Sequence, residues 1–174
     1  HGGDLDVEPV AGQPARAELL TTMDAVLKRI RNTISEAGHA VQYVAGDPPW
    51  AYTIGLTGRG LPELILFGLD PRSSQWILNE AAELLLAGKL HAGTPFNFSE
   101  ETAPLMPLQV RTGELSNEWF AIARRFFPLP RLQALQLVIS DPQHRFPWDA
   151  RVNPRYREVQ PLLGDPPSDR PLQA

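Results

Sequence analysis

Residues 48–69 read PPWAYTIGLTGRGLPELILFGL, and this stretch predicts two neighbouring strands joined by a glycine-rich turn. Alternation along the first strand places Ala51, Thr53 and Gly55 on one face and larger side chains on the other. Small residues on one face let a helix, another backbone or a flat ligand approach closely. That face therefore predicts either tight packing of a helix on the sheet or the floor of a ligand site, with Thr53 offering a hydroxyl.

The second strand of this stretch, from Leu64 to Phe67, is apolar without alternation. A strand of this kind is typically buried on both faces, so we expect it to be central in the sheet. Further strands are predicted at residues 39–45, 107–115 and 132–140. Short connections favour antiparallel neighbours.

Three helices are predicted from apolar periodicity and from their end signals. The first begins at Arg16 and ends at Gly38, a residue suited to the left-handed conformation that closes a helix. The second begins at Asp70, with Pro71 in its first turn, and ends at Gly88. A third is predicted after Ser116, with an aromatic-rich stripe.

These elements predict one α+β domain with a mainly antiparallel five-stranded sheet, or a partly open barrel, and about three packed helices. We expect residues 1–15 to form a flexible N-terminal arm and residues 16–162 to form the domain. Residues 163–174 are expected to form a proline-rich, disordered tail.

The composition excludes several classes of function. The formal net charge is -4, and broad binding to nucleic acid or to an anionic membrane needs a basic surface. No apolar run approaches membrane-spanning length. The chain has no cysteine, which removes thiolate chemistry and is typical of a cytoplasmic protein. The four histidines show no metal-ligand spacing, so no metal site is predicted.

Glu63 is the first candidate for chemistry, because it lies at the start of the apolar strand. A carboxylate there could be a general base with a raised pKa. It could equally cap a turn or pair with Arg59.

The second candidate is the loop SDPQHRFPWD at residues 140–149, which follows a buried-looking strand. Loops positioned by a rigid sheet often carry function. His144 could form an acid–base pair with Asp141 or Asp149, and His144 and Asp141 are weak catalytic candidates beside Glu63. Alternatively, Trp148 and Phe146 anchor the tail to the core and Arg145 pairs with a carboxylate.

Gln136 lies on an inner strand, so it must find hydrogen-bond partners in the core or on a ligand. We expect the stretch at residues 48–69 and the loop at residues 140–149 to meet at one hollow. The ligand-binding residues predicted there are Trp50, Tyr52, Thr53, Glu63, Gln136, Arg145 and Trp148.

Three segments of the chain, GHAVQYV, PPWAYTIGLTGRGLPELILFGL and ALQLVISDPQHRFPWD, resemble a bacterial family known as domain of unknown function 4262. The resemblance runs from the first helix to about Trp148, and the ordered motifs Tyr-Thr-Ile-Gly-Leu, Pro-Glu-Leu and Phe-Pro-Trp-Asp carry it. Many members of that family begin with a Cys-x-x-Cys segment, which this chain lacks. The resemblance implies no activity, but its motif positions fall on Trp50, Tyr52, Thr53, Gly55, Pro62, Glu63, Gln136, Asp141, Pro147, Trp148 and Asp149.

Two classes of function fit these observations. The first is a binding module for a small molecule or a protein partner, with aromatic side chains giving area and charged ones giving orientation. The second is an enzyme, by fold-level analogy to the flavin-binding split-barrel proteins, with FMN as its cofactor. An immunity-like partner of another protein and a homodimer are also compatible with the sequence.

Overall fold

The computed structural model describes residues 16–168, which form helices packed on both faces of a five-stranded sheet. The strands are β1 (Ala40–Val44), β2 (Trp50–Ile54), β3 (Glu63–Phe67), β4 (Leu105–Gln109) and β5 (Ala134–Ile139). Their order in the sheet is β1-β2-β3-β5-β4. Residues 1–15, predicted to be a flexible arm, and residues 169–174 of the predicted tail lie outside the described range.

The α+β class is confirmed, but the expectation of a mainly antiparallel sheet or a partly open barrel is wrong. The sheet is open and mixed, because β5 inserts between β3 and β4 and runs parallel to β3. Short connections do make β1, β2 and β3 antiparallel neighbours. The rule fails after β3, where a helix and a whole further strand separate the two parallel partners along the chain.

The helices are α1 (Arg16–Ala37), α2 (Pro71–Leu86) and α3 (Pro154–Glu158). The predicted end signals of the first two are confirmed. The Asp70 carboxylate accepts a hydrogen bond from the Ser73 N–H at 2.9 Å, and Gly38 takes a φ of +89° where α1 ends. These signals act locally, which is why the sequence alone identifies them.

Helix α2 covers the small-residue face of β2. Ala51 and Thr53 are fully buried, and Ala51 packs in one cluster with Leu78 and Ala81 of the helix. Gly55 continues this face with a φ of +127°, and a Cβ there would come within 2.8 Å of the Gly38 carbonyl oxygen. Of the two alternatives predicted for this face, tight helix packing is therefore the one that the structure contains.

Helix α1 and a run of short 3-10 turns cover the opposite face of the sheet. Only the C-terminal half of α1 docks, through the buried Ile30 and the neighbouring Val26 and Ile34. In the first turns of α1, Leu19 and Leu20 are 55% and 58% exposed. The apolar periodicity that predicted α1 is therefore real, but the helix contacts the sheet along half of its length.

The helix predicted after Ser116 is wrong, since this segment forms separate 3-10 turns at Glu118–Phe120 and Ala123–Arg125. Side chains of β2 form hydrogen bonds with main-chain groups that a helix would pair internally. The Trp119 carbonyl accepts from the Trp50 indole N–H at 3.2 Å, and the Ile122 N–H donates to the Tyr52 hydroxyl at 3.1 Å. Tertiary packing of the aromatic side chains thus overrides a helical period.

The third helix, α3, instead lies after the loop at residues 140–149, in a part of the domain where no helix was predicted. The Asn153 side chain accepts from the Arg155 N–H at 3.1 Å, and Pro154 occupies the first turn. An Asn-Pro pair is an ordinary start signal for a helix. After α3 the chain stays in contact with the sheet as far as Leu163, which is buried.

Candidate functional site

Glu63 is a buried carboxylate surrounded by hydrogen-bond donors from the turn that follows β2. One carboxylate oxygen accepts from the Thr53 hydroxyl at 2.9 Å and from the Leu56 N–H at 3.1 Å. The other accepts from the Thr57 N–H at 2.8 Å and hydroxyl at 2.5 Å, and from the Gly55 N–H at 3.4 Å. The side chain is fully buried, so it fastens the turn to the start of β3.

Burial raises the pKa of Glu63 above its ordinary value, and the hydrogen bonds from Thr57, Thr53 and Leu56 offset part of that rise. Arg59, the ion-pair partner weighed from the sequence, is not among the partners of this carboxylate. Its guanidinium lies instead against Gly38. Because the donors come from Thr53 on β2 and from the turn directly after it, the arrangement of Thr53 and Glu63 is that of a structural clamp.

Trp50 and Tyr52 point to the opposite face of the sheet from Thr53. Trp50 packs edge-to-face on Trp119, with ring centroids 5.1 Å apart. Tyr52 is almost fully buried and packs against Phe120 at 5.7 Å. Burial raises the pKa of the Tyr52 phenol to about 12. The hydrogen bond that the phenol oxygen accepts from the Ile122 N–H lowers this pKa, but by less than burial raises it. Both aromatic side chains hold the 3-10 turns onto the sheet.

Gln136 is fully buried in β5, and its amide is satisfied by the C-terminal segment. The side chain donates to the Pro161 carbonyl at 2.7 Å and accepts from the Leu163 N–H at 2.8 Å. Both ends of the amide are therefore occupied by main-chain groups, and Gln136 pairs the segment after α3 with the sheet. Gln42, on β1, donates to the neighbouring Tyr43 carbonyl instead.

Asp141 organises the loop after β5. It is fully buried, and its carboxylate accepts from the main-chain N–H groups of Gln143 and Arg145 at 2.9 Å each and of Asn153 at 3.1 Å. Desolvation alone would raise the pKa of Asp141, but the donors from Arg145, Asn153 and Gln143 hold it below its ordinary value. The carboxylate ties the start of the loop to the residue that caps α3.

The acid–base pair predicted between His144 and either Asp141 or Asp149 is absent from the loop as described, where Asp149 pairs with Arg151. His144 is exposed and takes a φ of +64°, and its main-chain N–H donates to the Asp141 carbonyl at 2.8 Å. The charged partner of Asp141 is Arg145, whose Nε lies 3.3 Å from a carboxylate oxygen. The alternative weighed for Arg145 is therefore the arrangement found.

Trp148 stacks on Phe146 with ring centroids 5.0 Å apart. Both rings pack on Met106, Leu108 and Val138, at the β4–β5 edge of the face opposite α2. Thr53 lies under α2, so the expectation that these segments meet at one hollow is wrong. The predicted residues form separate contacts: Thr53 with Glu63, Trp50 and Tyr52 with the 3-10 turns, Gln136 with the C-terminal segment, and Arg145 and Trp148 within the loop.

A cavity does exist at the carboxyl ends of the parallel strands β3 and β5, where residues of α3 complete its lining. It has a volume of about 140 Å³, close to that of an engineered apolar cavity of about 150 Å³ that holds benzene. We call this cavity the β3–β5 crevice. It is lined by Phe67, Gly68, Leu69, Ile139, Arg155, Tyr156, Val159 and Gln160.

Glycine is needed at position 68 for this crevice to have its shape. Gly68 has a φ of +85°, and a Cβ there would lie 2.7 Å from a methyl carbon of Val159. Gln160 is already satisfied, because its amide exchanges hydrogen bonds with the main chain of Ile139 at 2.8 and 2.9 Å. The walls are therefore fixed, and the polar groups left over belong to Arg155 and Tyr156.

Sequence reasoning missed the β3–β5 crevice, because its lining joins strand ends to α3, which was not predicted. The helix start signal at Asn153 and Pro154 was the one local cue available. Wider clefts lie elsewhere on the described part of the chain. A groove of about 590 Å³ is lined in part by Arg111 and Asp165, and these two side chains form an ion pair at 3.0 Å. A cleft of about 330 Å³ between α1, β1 and α2 includes His39.

Comparison with known proteins agrees with the resemblance seen in the sequence. Residues 33–153 match the family described as Domain of unknown function (DUF4262). No curated protein and no solved structure matches the chain. Within residues 16–168, none of the helices has the length and apolar character needed to span a bilayer. The match covers most of the chain, so the protein belongs to the DUF4262 family.

Proposed function

We propose that this protein is a small-molecule-binding module whose ligand occupies the β3–β5 crevice. The observation that carries the proposal is the position of the crevice outside the carboxyl ends of two adjacent parallel strands. In open sheets with parallel strands, ligands bind preferentially at that position, since the connections diverge there and leave a gap. The same geometry explains why a fixed cavity exists here although the sheet is otherwise covered on both faces.

The lining supports a ligand with a small apolar body. Phe67, Leu69, Ile139 and Val159 form apolar walls, and Arg155 and Tyr156 add polar groups at one side. Ligand sites typically combine apolar walls with a few convergent polar groups. The volume matches a single ring or a short branched chain, and is smaller than the ~300–1,000 Å³ typical of sites for drug-sized ligands.

The alternatives from the sequence stay predictions. An FMN-dependent oxidoreductase was suggested by analogy to split-barrel proteins, and the open mixed sheet removes the structural basis of that analogy. An interaction module, an immunity-like partner, a homodimer and a cytoplasmic location each need their own measurement. The FMN hypothesis is tested by adding FMN and measuring whether absorbance in the flavin bands stays with the protein.

Two-dimensional amide NMR of the full chain, with small aromatic and branched aliphatic compounds added singly, tests the proposed function. Binding is expected to shift the amide signals of residues 67–69, 139 and 155–160 together. Val159→Phe, which fills the crevice, is expected to abolish these shifts. Leu129→Phe is the matched control, because it adds the same ring at a position that is 44% exposed on another surface. Shifts that survive Val159→Phe, or an absence of shifts with every compound, would contradict the proposal.

A further inference from the structure

We infer that the ligand of the β3–β5 crevice is a small carboxylic acid, with its carboxylate held by Arg155 and Tyr156. This inference rests on the proposed function, because it names the class of ligand for the same crevice. The match to the family ends at residue 153, so both side chains lie just beyond the matched region.

Three arginines lie close together along this part of the chain, and two of them have partners. Arg151 pairs with the Asp149 carboxylate at 3.2 Å, and Arg157 donates to the main-chain carbonyls of Pro147 and Asp149 at 3.0 and 3.2 Å. Within residues 16–168, the Arg155 side chain has no ion-pair or hydrogen-bond partner. A guanidinium carries five N–H donors in a planar fork that suits a carboxylate. Arg155 is therefore the free cation of the crevice.

Tyr156 supplies a second polar group at the same cavity. It is partly buried and lines the crevice, and its hydroxyl makes no hydrogen bond to any described residue. Glu158, the carboxylate nearest in sequence, lies at the end of α3 and does not line the crevice, and Asp141 and Asp149 are engaged by the donors named above. No acidic side chain lines the crevice, so its electrostatics favour an anionic group over a cationic one.

The size of the crevice favours a carboxylic acid with a body the size of one ring over larger anions. About 140 Å³ accommodates one six-membered ring with the apolar contacts that Phe67, Ile139 and Val159 offer. The guanidinium at the exposed side then reaches the acid group while the ring stays inside. A phosphate ester of a larger molecule would leave most of its surface outside the cavity, where it gains little from the apolar walls.

Three probes with the same ring test the class of ligand: benzoate, benzyl alcohol and benzylamine. Dissociation constants follow from the NMR shifts of the crevice amides. Benzoate is expected to bind about fivefold to tenfold more tightly than benzyl alcohol, as one partly exposed charge-assisted contact provides. Benzylamine is expected to bind most weakly, and added salt is expected to narrow the difference.

Arg155→Gln and Arg151→Gln form a matched pair of variants four residues apart. Arg155→Gln is expected to weaken benzoate to the level of benzyl alcohol and to leave benzyl alcohol unchanged. Arg151→Gln is expected to leave both unchanged, because Arg151 is 77% exposed and paired with Asp149. Tyr156→Phe is expected to weaken benzoate by a smaller factor.

The outcomes separate the two proposals. If benzyl alcohol shifts the crevice amides and benzoate binds no more tightly, the ligand class is wrong and the proposed function stands. If both arginine variants weaken benzoate equally, a general positive field replaces a specific contact, and the ligand class is again wrong. If no probe or other small compound shifts the crevice amides, the proposed function itself is wrong.

Discussion

Replacing Glu63 with glutamine changes one oxygen into an NH₂ group in a site built from donors. The two carboxylate oxygens accept five hydrogen bonds, from Thr53, Gly55, Leu56 and Thr57. Whichever way the amide is turned, its NH₂ faces at least one buried main-chain N–H. The nearby hydroxyls can rotate to accept from the amide, but a main-chain N–H cannot.

The cost follows from the donors that lose their acceptor. With the NH₂ turned toward the Leu56 N–H, that group and the Thr53 hydroxyl hydrogen are both left unpaired. Each buried unpaired donor costs about 1–3 kcal/mol, so the free energy of unfolding is expected to fall by roughly 2–6 kcal/mol for Glu63→Gln. Glu101→Gln, on an exposed loop, is the matched control and is expected to change it by under about 0.5 kcal/mol.

Urea unfolding followed by tryptophan fluorescence measures the change, because the chain contains four tryptophans. The midpoint is expected to fall for Glu63→Gln with an unchanged slope, as for a loss of stability in one folded state. Equal midpoints for Glu63→Gln and Glu101→Gln would refute the reasoning that this carboxylate clamps the turn.

The pH dependence of stability gives a second view of Glu63. Burial raises its pKa in the folded protein, so the folded state binds the proton more tightly than the unfolded chain does. The stability from this group is therefore fully present below the unfolded pKa and is lost as the pH rises through the folded pKa. The advantage of the wild type over Glu63→Gln should shrink as the pH rises through that range. An advantage that grows instead would show that the pKa is not raised.

Three further predictions concern other buried polar and apolar contacts. Asp141→Asn is expected to speed hydrogen exchange across residues 141–153, and unchanged exchange would contradict the role given to this carboxylate. The stability that Asp141 contributes should be lost as the pH falls through its lowered pKa. Gln136→Leu is expected to expose the Leu163 amide to exchange, and continued protection of that amide would count against the contact. Ile30→Ala is expected to lower the free energy of unfolding, measured in urea, by about 2–4 kcal/mol, and Leu20→Ala by under about 0.5 kcal/mol. Similar losses for the two variants would show that α1 docks along its whole length.

Much of the architecture could be predicted because it depends on neighbours in sequence. Asp70 caps α2 through an N–H three residues away, and Gly38 ends α1 through its own φ. The small face of β2 correctly indicated a close neighbour, and two alternatives remained for what that neighbour is. The order of the strands was beyond such reasoning, since β5 joins β3 by hydrogen bonds between segments about 70 residues apart.

The candidate site shows the same division. The sequence alone determined that Gln136 is a buried polar residue that requires partners, because an unpaired polar group in a core is costly, and it marked Glu63 and Asp141 as candidates for chemistry. Only the tertiary structure decided where the partners of these three residues come from: a turn, a C-terminal segment and a loop, each of which supplies main-chain groups. The β3–β5 crevice likewise exists only after folding, because its walls come from strand ends and a short helix that lie far apart along the chain. Alternation and periodicity report the burial of each residue, whereas a cavity depends on which distant surfaces fail to meet.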